Sequence, residues 1–141
     1  MNVCIDVGNS VIKIGFIEND SIKKISFKTE KKNADQYETC IFELLKYHNI
    51  ECSNVKNVIY SSVVPSINDE LTCAVKKIFN CSVIINVSTS LNLPITFNVK
   101  NPNEIGSDLL ADLVGAKSKY RLPTLIIDFG TATKILYLDK D

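Results

Sequence analysis

Histidine and closely spaced cysteine pairs are scarce or absent in this sequence. It contains one histidine, His48, and five cysteines, and no two cysteines form a C-x-x-C pair. A zinc site is therefore not expected, because such sites need clustered cysteine and histidine ligands. A Ser-His-Asp triad is not expected either, since no nucleophile motif stands near His48. The odd number of cysteines indicates buried thiols in a reducing compartment rather than a disulfide framework.

The sequence also lacks net charge and long apolar runs. Sixteen basic residues balance sixteen acidic ones, so we expect no nucleic-acid surface, which needs an excess of Lys and Arg. A lysine-rich stretch, residues 23–32, is interpreted as a solvated edge because acidic residues lie close by. No run approaches the ~20 apolar residues of a membrane helix, and residues 1–6 lack the basic flank of a signal peptide. We expect a cytoplasmic protein with no membrane partner.

The hydrophobic pattern predicts an α/β fold. The 141 residues are enough for one domain with a core, or for one domain and a remnant. Three successive strands indicate an antiparallel meander, and helices and strands alternate after it. The predicted strands are 2–6, 11–18, 22–28, 56–64, 81–87, 93–99, 125–128 and 133–138, and the predicted helices are 35–47, 67–79 and 103–120. Ser66 is the expected N-cap of the second helix. This order predicts a mixed sheet with helices on its faces.

One short pattern occurs twice. Ile5-Asp-Val-Gly-Asn-Ser10 and Ile127-Asp-Phe-Gly-Thr-Ala132 each follow an apolar strand and precede another. We interpret them as the starts of two related domains, residues 1–121 and 122–141. The second copy ends after one hairpin, and an isolated hairpin is marginally stable in water. We therefore expect the second domain to be incomplete in this chain.

The first copy has the chemistry of a phosphate-binding turn. Gly8 permits a positive φ and a close approach of the backbone to an anion, while Asn9 and Ser10 add hydrogen-bonding groups. Asp6 repels phosphate but can hold Mg²⁺ against it, directly or through water. Lys13 in the next strand adds positive charge. The alternative is an ordinary hairpin turn without a ligand.

The second copy, Asp128-Phe-Gly-Thr-Ala-Thr133, repeats this chemistry. Two such hairpins that face each other across a cleft can clamp a nucleotide triphosphate. The pair is more specific than either hairpin alone, with chance duplication as the alternative.

A third motif opens the helix predicted at residues 103–120. Asn101-Pro102 breaks the preceding strand, and Gly106 permits a close approach in the first turn. Asp108 follows near the helix N-terminus, where the dipole favours a negative charge. A carboxylate held near a substrate hydroxyl can act as general base for phosphoryl transfer; the alternative is that Asp108 only stabilises the helix start. Small residues that permit a close helix partner, such as a second copy of this helix, are Ala111, Gly115, Ala116 and Ser118.

Taken in order, these motifs resemble those of the type III pantothenate kinases over essentially the whole chain. The matching segments are Asp6–Ser10, Ser61–Ser66, Asn101–Pro102, Ile105–Asp108, Val114–Ala116 and Asp128–Thr133. The resemblance implies the acetate and sugar kinase/Hsp70/actin fold, built from ribonuclease H-like domains, and a homodimer. It implies ATP, Mg²⁺ and a monovalent cation (K⁺ or NH₄⁺). The implied reaction is transfer of the γ-phosphoryl group to pantothenate, the first step of coenzyme A biosynthesis.

The resemblance also implies roles for single residues. Asp108 would be the general base, Asp6 would hold Mg²⁺, and Asp128 would help to hold the monovalent cation. The residues implied to bind ATP and its phosphates are Asp6, Val7, Gly8, Asn9, Ser10, Val11, Ile12, Lys13 and Thr131. The residues implied to lie beside pantothenate are Gly106, Ser107, Asp108 and Leu109.

Two positions depart from the family pattern. Leu109 stands where an arginine is usual, and an aliphatic chain cannot replace a guanidinium that contacts substrate. Val99 stands where some members have an aromatic residue. A catalytically inactive homologue that binds a nucleotide or a partner therefore stays open as an alternative. So does another phosphotransferase of the same fold, such as a sugar kinase, because fold alone does not define the substrate.

Overall fold

The computed structural model describes residues 1–19, 21–130 and 132–140. They form two compact units, Met1–Asn86 and Val87–Asp141. The division falls before the third helix, which packs on the strands that follow it in the chain. The boundary predicted at residues 121 and 122 concerns the domains of the complete fold and stays a prediction.

The first unit is built on a mixed sheet, as predicted. Its strands are β1 (Asn2–Val7), β2 (Val11–Glu18), β3 (Ser21–Lys28), β4 (Asn57–Ser62) and β5 (Ile84–Asn86). Within the described residues they are ordered β3-β2-β1-β4-β5. The meander β1-β2-β3 is antiparallel, whereas β4 pairs in parallel with β1 and β5 in parallel with β4. Asn19 between β2 and β3 has a φ of 52°, typical of a tight turn; its predicted turn partner Asp20 lies outside the described residues.

Two helices contribute further side chains to the first core. They are α1 (Ala34–Tyr47) and α2 (Asn68–Phe79), and they contact each other. Alternate residues of β1 and β2 are buried and form one hydrophobic cluster with the apolar stripes of the helices: Val3, Ile5, Val7, Ile12, Ile14, Phe16, Tyr37, Ile41, Leu45, Leu71, Val75 and Phe79. The remaining face of β1 and β2 therefore carries their polar side chains, because successive strand residues point to opposite faces.

The starts of two helices differ from the prediction. Ser66 does not cap α2, because Pro65–Ile67 forms a 3₁₀ turn and the N-cap is Ile67, with no side-chain hydrogen bond. The helix predicted at residues 103–120 is also shorter. Pro102–Glu104 forms a separate 3₁₀ turn, and the backbone is extended at Ile105 before the helix begins at Ser107. In both cases a proline sets a tight turn that ends before the true helix starts.

The second unit is a helix on a hairpin. It contains α3 (Ser107–Lys119) and the antiparallel strands β6 (Thr124–Phe129) and β7 (Thr133–Leu138). Helix α3 packs on both strands. The segment predicted as a strand at residues 93–99 pairs with no other strand in the described part of the chain, and the strand predicted at 81–87 is reduced to β5.

The two faces of the β6-β7 hairpin differ in exposure. One row of side chains is half-buried: Thr124, Ile126, Asp128, Lys134, Leu136 and Leu138. The opposite row is exposed and apolar: Leu125, Ile127, Phe129, Ile135 and Tyr137. Asp128 and Lys134 belong to the half-buried row and thus lie beside α3. The buried side of this helix is formed by Leu110, Leu113 and Ala116. No helix within residues 1–19, 21–130 and 132–140 is long and apolar enough to cross a membrane.

Candidate active site

The first predicted phosphate turn lies between β1 and β2. The strand register places Asp6 directly opposite Lys13. Lys13 Nζ donates to Asp6 Oδ2 at 3.2 Å, and both side chains are about half-exposed, at 63% and 47%. Their strand neighbours Val7 and Ile12 point into the core and are buried. The ion pair is therefore open to solvent and can exchange its partners for a ligand.

Backbone and side-chain bonds hold this turn in one conformation. Gly8 N donates to Val11 O at 3.1 Å. Thr29, the residue after β3, adds two bonds: its Oγ1 donates to Gly8 O at 2.7 Å, and its N donates to Ser10 O at 3.0 Å. The sequence reasoning missed Thr29, although its place at the end of the strand paired with β2 brings it to this turn. Asn9 and Ser10 are left exposed at the tip.

The space around Gly8 favours a residue without a Cβ. The sequence shows only that Gly8 can adopt a positive φ, and among the described residues no glycine does so. Space explains the glycine instead. A Cβ at this position would lie 3.2 Å from Val11 O, the acceptor of the bond that closes the turn. A side chain here would require the Val11 carbonyl to shift by a few tenths of an ångström.

The second predicted turn also places an acid opposite a lysine. Phe129 pairs with Thr133, so the next pair along the ladder is Asp128 and Lys134. Lys134 Nζ lies 3.4 Å from Asp128 Oδ2. Each hairpin thus has its own Asp–Lys pair, one residue pair before the turn. This similarity extends the duplication seen in the sequence. Thr131, implied to bind ATP, lies outside the described residues.

Asp108 joins this second pair from α3. It is the second residue of the helix, and its Oδ1 accepts from Leu109 N at 2.9 Å. Its Oδ2 accepts from Lys134 Nζ at 2.6 Å. We call Asp108, Asp128 and Lys134 the carboxylate–lysine cluster. Its side chains are 26%, 32% and 34% exposed, so they are partly shielded from water but accessible from outside.

The two carboxylates of the cluster stabilise the charged form of its lysine. The hydrogen bond to Asp108 is the main reason why the pKa of Lys134 is raised above the ordinary value of 10.5, with a smaller contribution from Asp128. The lysine therefore stays charged, and it neutralises one of the two carboxylates. Lys134 was missed by sequence reasoning, although the register of the predicted hairpin places it opposite Asp128.

The other residues implied to contact substrate lie around Asp108. Gly106 is the N-cap of α3, with φ −59° and ψ 146°, a conformation open to any residue. Ser107 is the first helical residue. Leu109 is half-buried beside Asp108 and brings no charge to the site. Lys134 is therefore the cation that the structure shows beside Asp108 at the helix start.

Fit to the expected metal ions differs between the two sites. In the described part of the chain no three His, Cys, Asp or Glu side chains form a metal-binding group. A single half-exposed carboxylate such as Asp6 still suits Mg²⁺, which is commonly held by one or two carboxylates together with substrate phosphates. Asp128 does not suit a free monovalent cation, because the ammonium of Lys134 already lies beside it and would repel a second positive charge.

Comparison with known proteins gives the family. The model of the family described as "Type III pantothenate kinase" matches residues 2–141. The chain belongs to the type III pantothenate kinase family. A protein of this name from Sulfurihydrogenibium sp. (strain YO3AOP1) is 29% identical over 143 residues, covering 100% of this chain and 56% of that protein. The same name is carried by a relative from Exiguobacterium sp. (strain ATCC BAA-1283 / AT1b), 33% identical over 142 residues with 99% and 56% covered.

A third relative matches the chain with similar identity and coverage. The type III pantothenate kinase of Listeria monocytogenes serotype 4a (strain HCC23) is 33% identical over 145 residues, covering 99% of this chain and 54% of that protein. The chain thus spans about half the length of the curated relatives it matches. Its α/β architecture and mixed sheet agree with the actin-like kinase fold that this family implies.

Proposed function

We propose that the protein to which this chain belongs transfers the γ-phosphoryl group of ATP to pantothenate and forms 4'-phosphopantothenate, the first step of coenzyme A biosynthesis. The observation that carries this proposal is the position of Asp108. Its carboxylate stands at the start of α3, bound to Lys134 and close to the Asp128 hairpin, in a family named for this reaction.

The Asp6 hairpin is proposed as the phosphate-binding part. Lys13 and Asp6 are half-exposed, so the ammonium of Lys13 would be free to bind a triphosphate and Asp6 would hold Mg²⁺, directly or through water. The turn is held by Thr29 and presents Asn9 and Ser10 to solvent. Mg²⁺ would supply neutralisation of the phosphate charge when it is bound. Thr131 is proposed as a further ATP contact from its motif alone.

Asp108 is proposed as the general base. A carboxylate within reach of the pantothenate hydroxyl can accept its proton as the oxygen attacks phosphorus. The backbone of Gly106 and Ser107 and the side chain of Leu109 are proposed to line the pantothenate side of the site. Because Leu109 is aliphatic, it can contact apolar parts of the substrate but cannot bind a carboxylate.

The assembly is also part of the proposal. The exposed apolar row of β6-β7 supports the view that this hairpin begins a second actin-like domain, in which another layer would cover this face. A homodimer through α3 is proposed from the exposed or half-exposed positions Ala111, Gly115 and Ser118; Ala116 is buried and does not belong to that surface. A Cβ at Gly115 would meet nothing within 4 Å, so the helix surface is open there. We expect a cytoplasmic enzyme.

The test is ADP release by the intact native protein, measured in a coupled assay with and without pantothenate. We expect pantothenate to stimulate release, and Asp108→Asn to reduce kcat by about 10²- to 10⁴-fold with little change in ATP affinity. Asp139→Asn is the matched control, because Asp139 is an exposed carboxylate of the same unit. Equal ADP release with and without pantothenate would exclude the proposed reaction.

Leu109, which stands where the family usually has an arginine, favours one other function: the binding of a nucleotide without turnover. This alternative predicts tight ATP binding that Asp6→Asn weakens, and no pantothenate-dependent ADP in any variant. Sugar phosphorylation is the third possibility and is decided by replacing pantothenate with sugars in the same assay.

A further inference from the structure

The carboxylate–lysine cluster contains a single positive charge, the ammonium group of Lys134. Lys134 Nζ is 2.6 Å from Asp108 Oδ2 and 3.4 Å from Asp128 Oδ2. The lysine comes from β7, one acid from β6 and the other from α3, so three separate elements hold the group in place. A single positive charge thus lies between two carboxylates that belong to a phosphoryl-transfer site.

An ammonium group is chemically close to the ions expected here. K⁺ and NH₄⁺ are both single positive charges, and NH₄⁺ binds by donating hydrogen bonds, as the lysine ammonium does. A free cation must be ordered from solution, whereas the ammonium of Lys134 is covalently attached and is placed by the strand register. Two like charges a few ångströms apart repel strongly in a partly shielded site. The cluster can therefore hold the lysine or a free cation at Asp128, but not both.

We propose that Lys134 replaces the free monovalent cation of this site, so that the protein works without K⁺ or NH₄⁺. This inference rests on the proposed function for its catalytic consequence. Its binding consequence does not, because a cation site can be measured without turnover. Lys134 acts here by positioning Asp108 and Asp128 and by supplying charge.

The experiment compares the intact native protein with Lys134→Met in KCl, NH₄Cl and choline chloride at equal ionic strength. Thermal unfolding midpoints and pantothenate-dependent ADP release are both recorded. For the native protein we expect the same values in all three salts. For Lys134→Met we expect ADP release to fall at least about tenfold in choline chloride, as for a lost charge-assisted hydrogen bond, with partial recovery in KCl or NH₄Cl. The unfolding midpoint of this variant should then rise with K⁺.

Controls separate charge loss from general damage. Lys119→Met removes an exposed lysine from the end of α3 and should leave both readouts unchanged. Lys134→Gln is a second variant that keeps a hydrogen-bond donor, in case Lys134→Met does not fold. A native protein that needs K⁺ for activity, or is stabilised by K⁺ over choline, overturns the proposal. A Lys134 variant with neither loss nor cation response overturns it as well.

The two hypotheses fail in different ways. If the native protein releases no pantothenate-dependent ADP in any salt, the proposed function fails. The unfolding midpoints then decide the cation proposal alone: a K⁺ response that Lys134→Met has and the native protein lacks supports it, and any other pattern refutes it.

Discussion

Replacing Thr29 by valine tests whether the Asp6 turn is a preorganised phosphate site. The change keeps the β-branched shape and removes the Oγ1 donor that binds Gly8 O at 2.7 Å. The half-buried Gly8 carbonyl then loses a partner, which costs about 1 kcal/mol of folding free energy. With a urea m-value of about 1–3 kcal/mol/M, the unfolding midpoint should fall by roughly 0.3–1 M urea.

The same change should weaken nucleotide binding. Thr29 holds the turn through both Gly8 and Ser10, so losing one bond lets the turn sample other conformations that ATP must then reorder. We expect the Kd for ATP to rise a few-fold, measured by calorimetry well below the unfolding midpoint. Thr29→Ser, which keeps the hydroxyl, is the control that should retain most of the affinity.

Two outcomes would refute this reasoning. An unchanged urea midpoint would mean that the Thr29 bond contributes nothing to the turn. A lower midpoint with unchanged ATP affinity would mean that the turn is an ordinary hairpin and that the phosphates bind elsewhere.

Three further predictions concern stability and reactivity. Asn33→Ala should lower the free energy of unfolding by about 1 kcal/mol in urea titrations, because Asn33 and Gln36 form a reciprocal cap at the start of α1; no shift would show that the cap is dispensable. Cys73 is exposed and should react first with a thiol reagent in the native protein, followed by mass spectrometry. Burial raises the pKa of the other four thiols and should slow their reaction with the reagent: Cys4, Cys40, Cys52 and Cys81. Labelling of any of these before Cys73 would contradict the structure. The stability difference between native protein and Lys134→Met should be constant from neutral pH up to the unfolded lysine pKa of 10.5, where Asp108 and Lys134 are both charged. It should shrink as pH rises through the higher folded pKa, because the ion pair needs the charged ammonium. A difference that already falls between neutral pH and about pH 9 would show that another group is responsible.

Local patterns predicted much of the fold. The meander, α1 and the hairpin at β6 and β7 follow from strand alternation, helical periodicity and turn residues, and all act within about ten neighbours. The predictions failed where two local preferences competed. Ser66 is a good helix cap, but Pro65 starts a 3₁₀ turn first and moves the helix start past it. The helix expected from residue 103 likewise starts later, because Pro102 begins a separate 3₁₀ turn and the helix begins only at Ser107.

The sequence by itself determined the family, the α/β class and the acids of the candidate site, because the Asp-x-Gly turns and Asp108 lie in short motifs that are visible without coordinates. It also contained the pairing of Asp6 with Lys13 and of Asp128 with Lys134, since both follow from hairpin register. Only the tertiary structure decided that Asp108 shares Lys134 with Asp128 and that Thr29 holds Gly8. The physical reason is distance along the chain: these contacts join residues 26 and 21 positions apart, and they depend on how α3 and β3 pack, which no local pattern specifies.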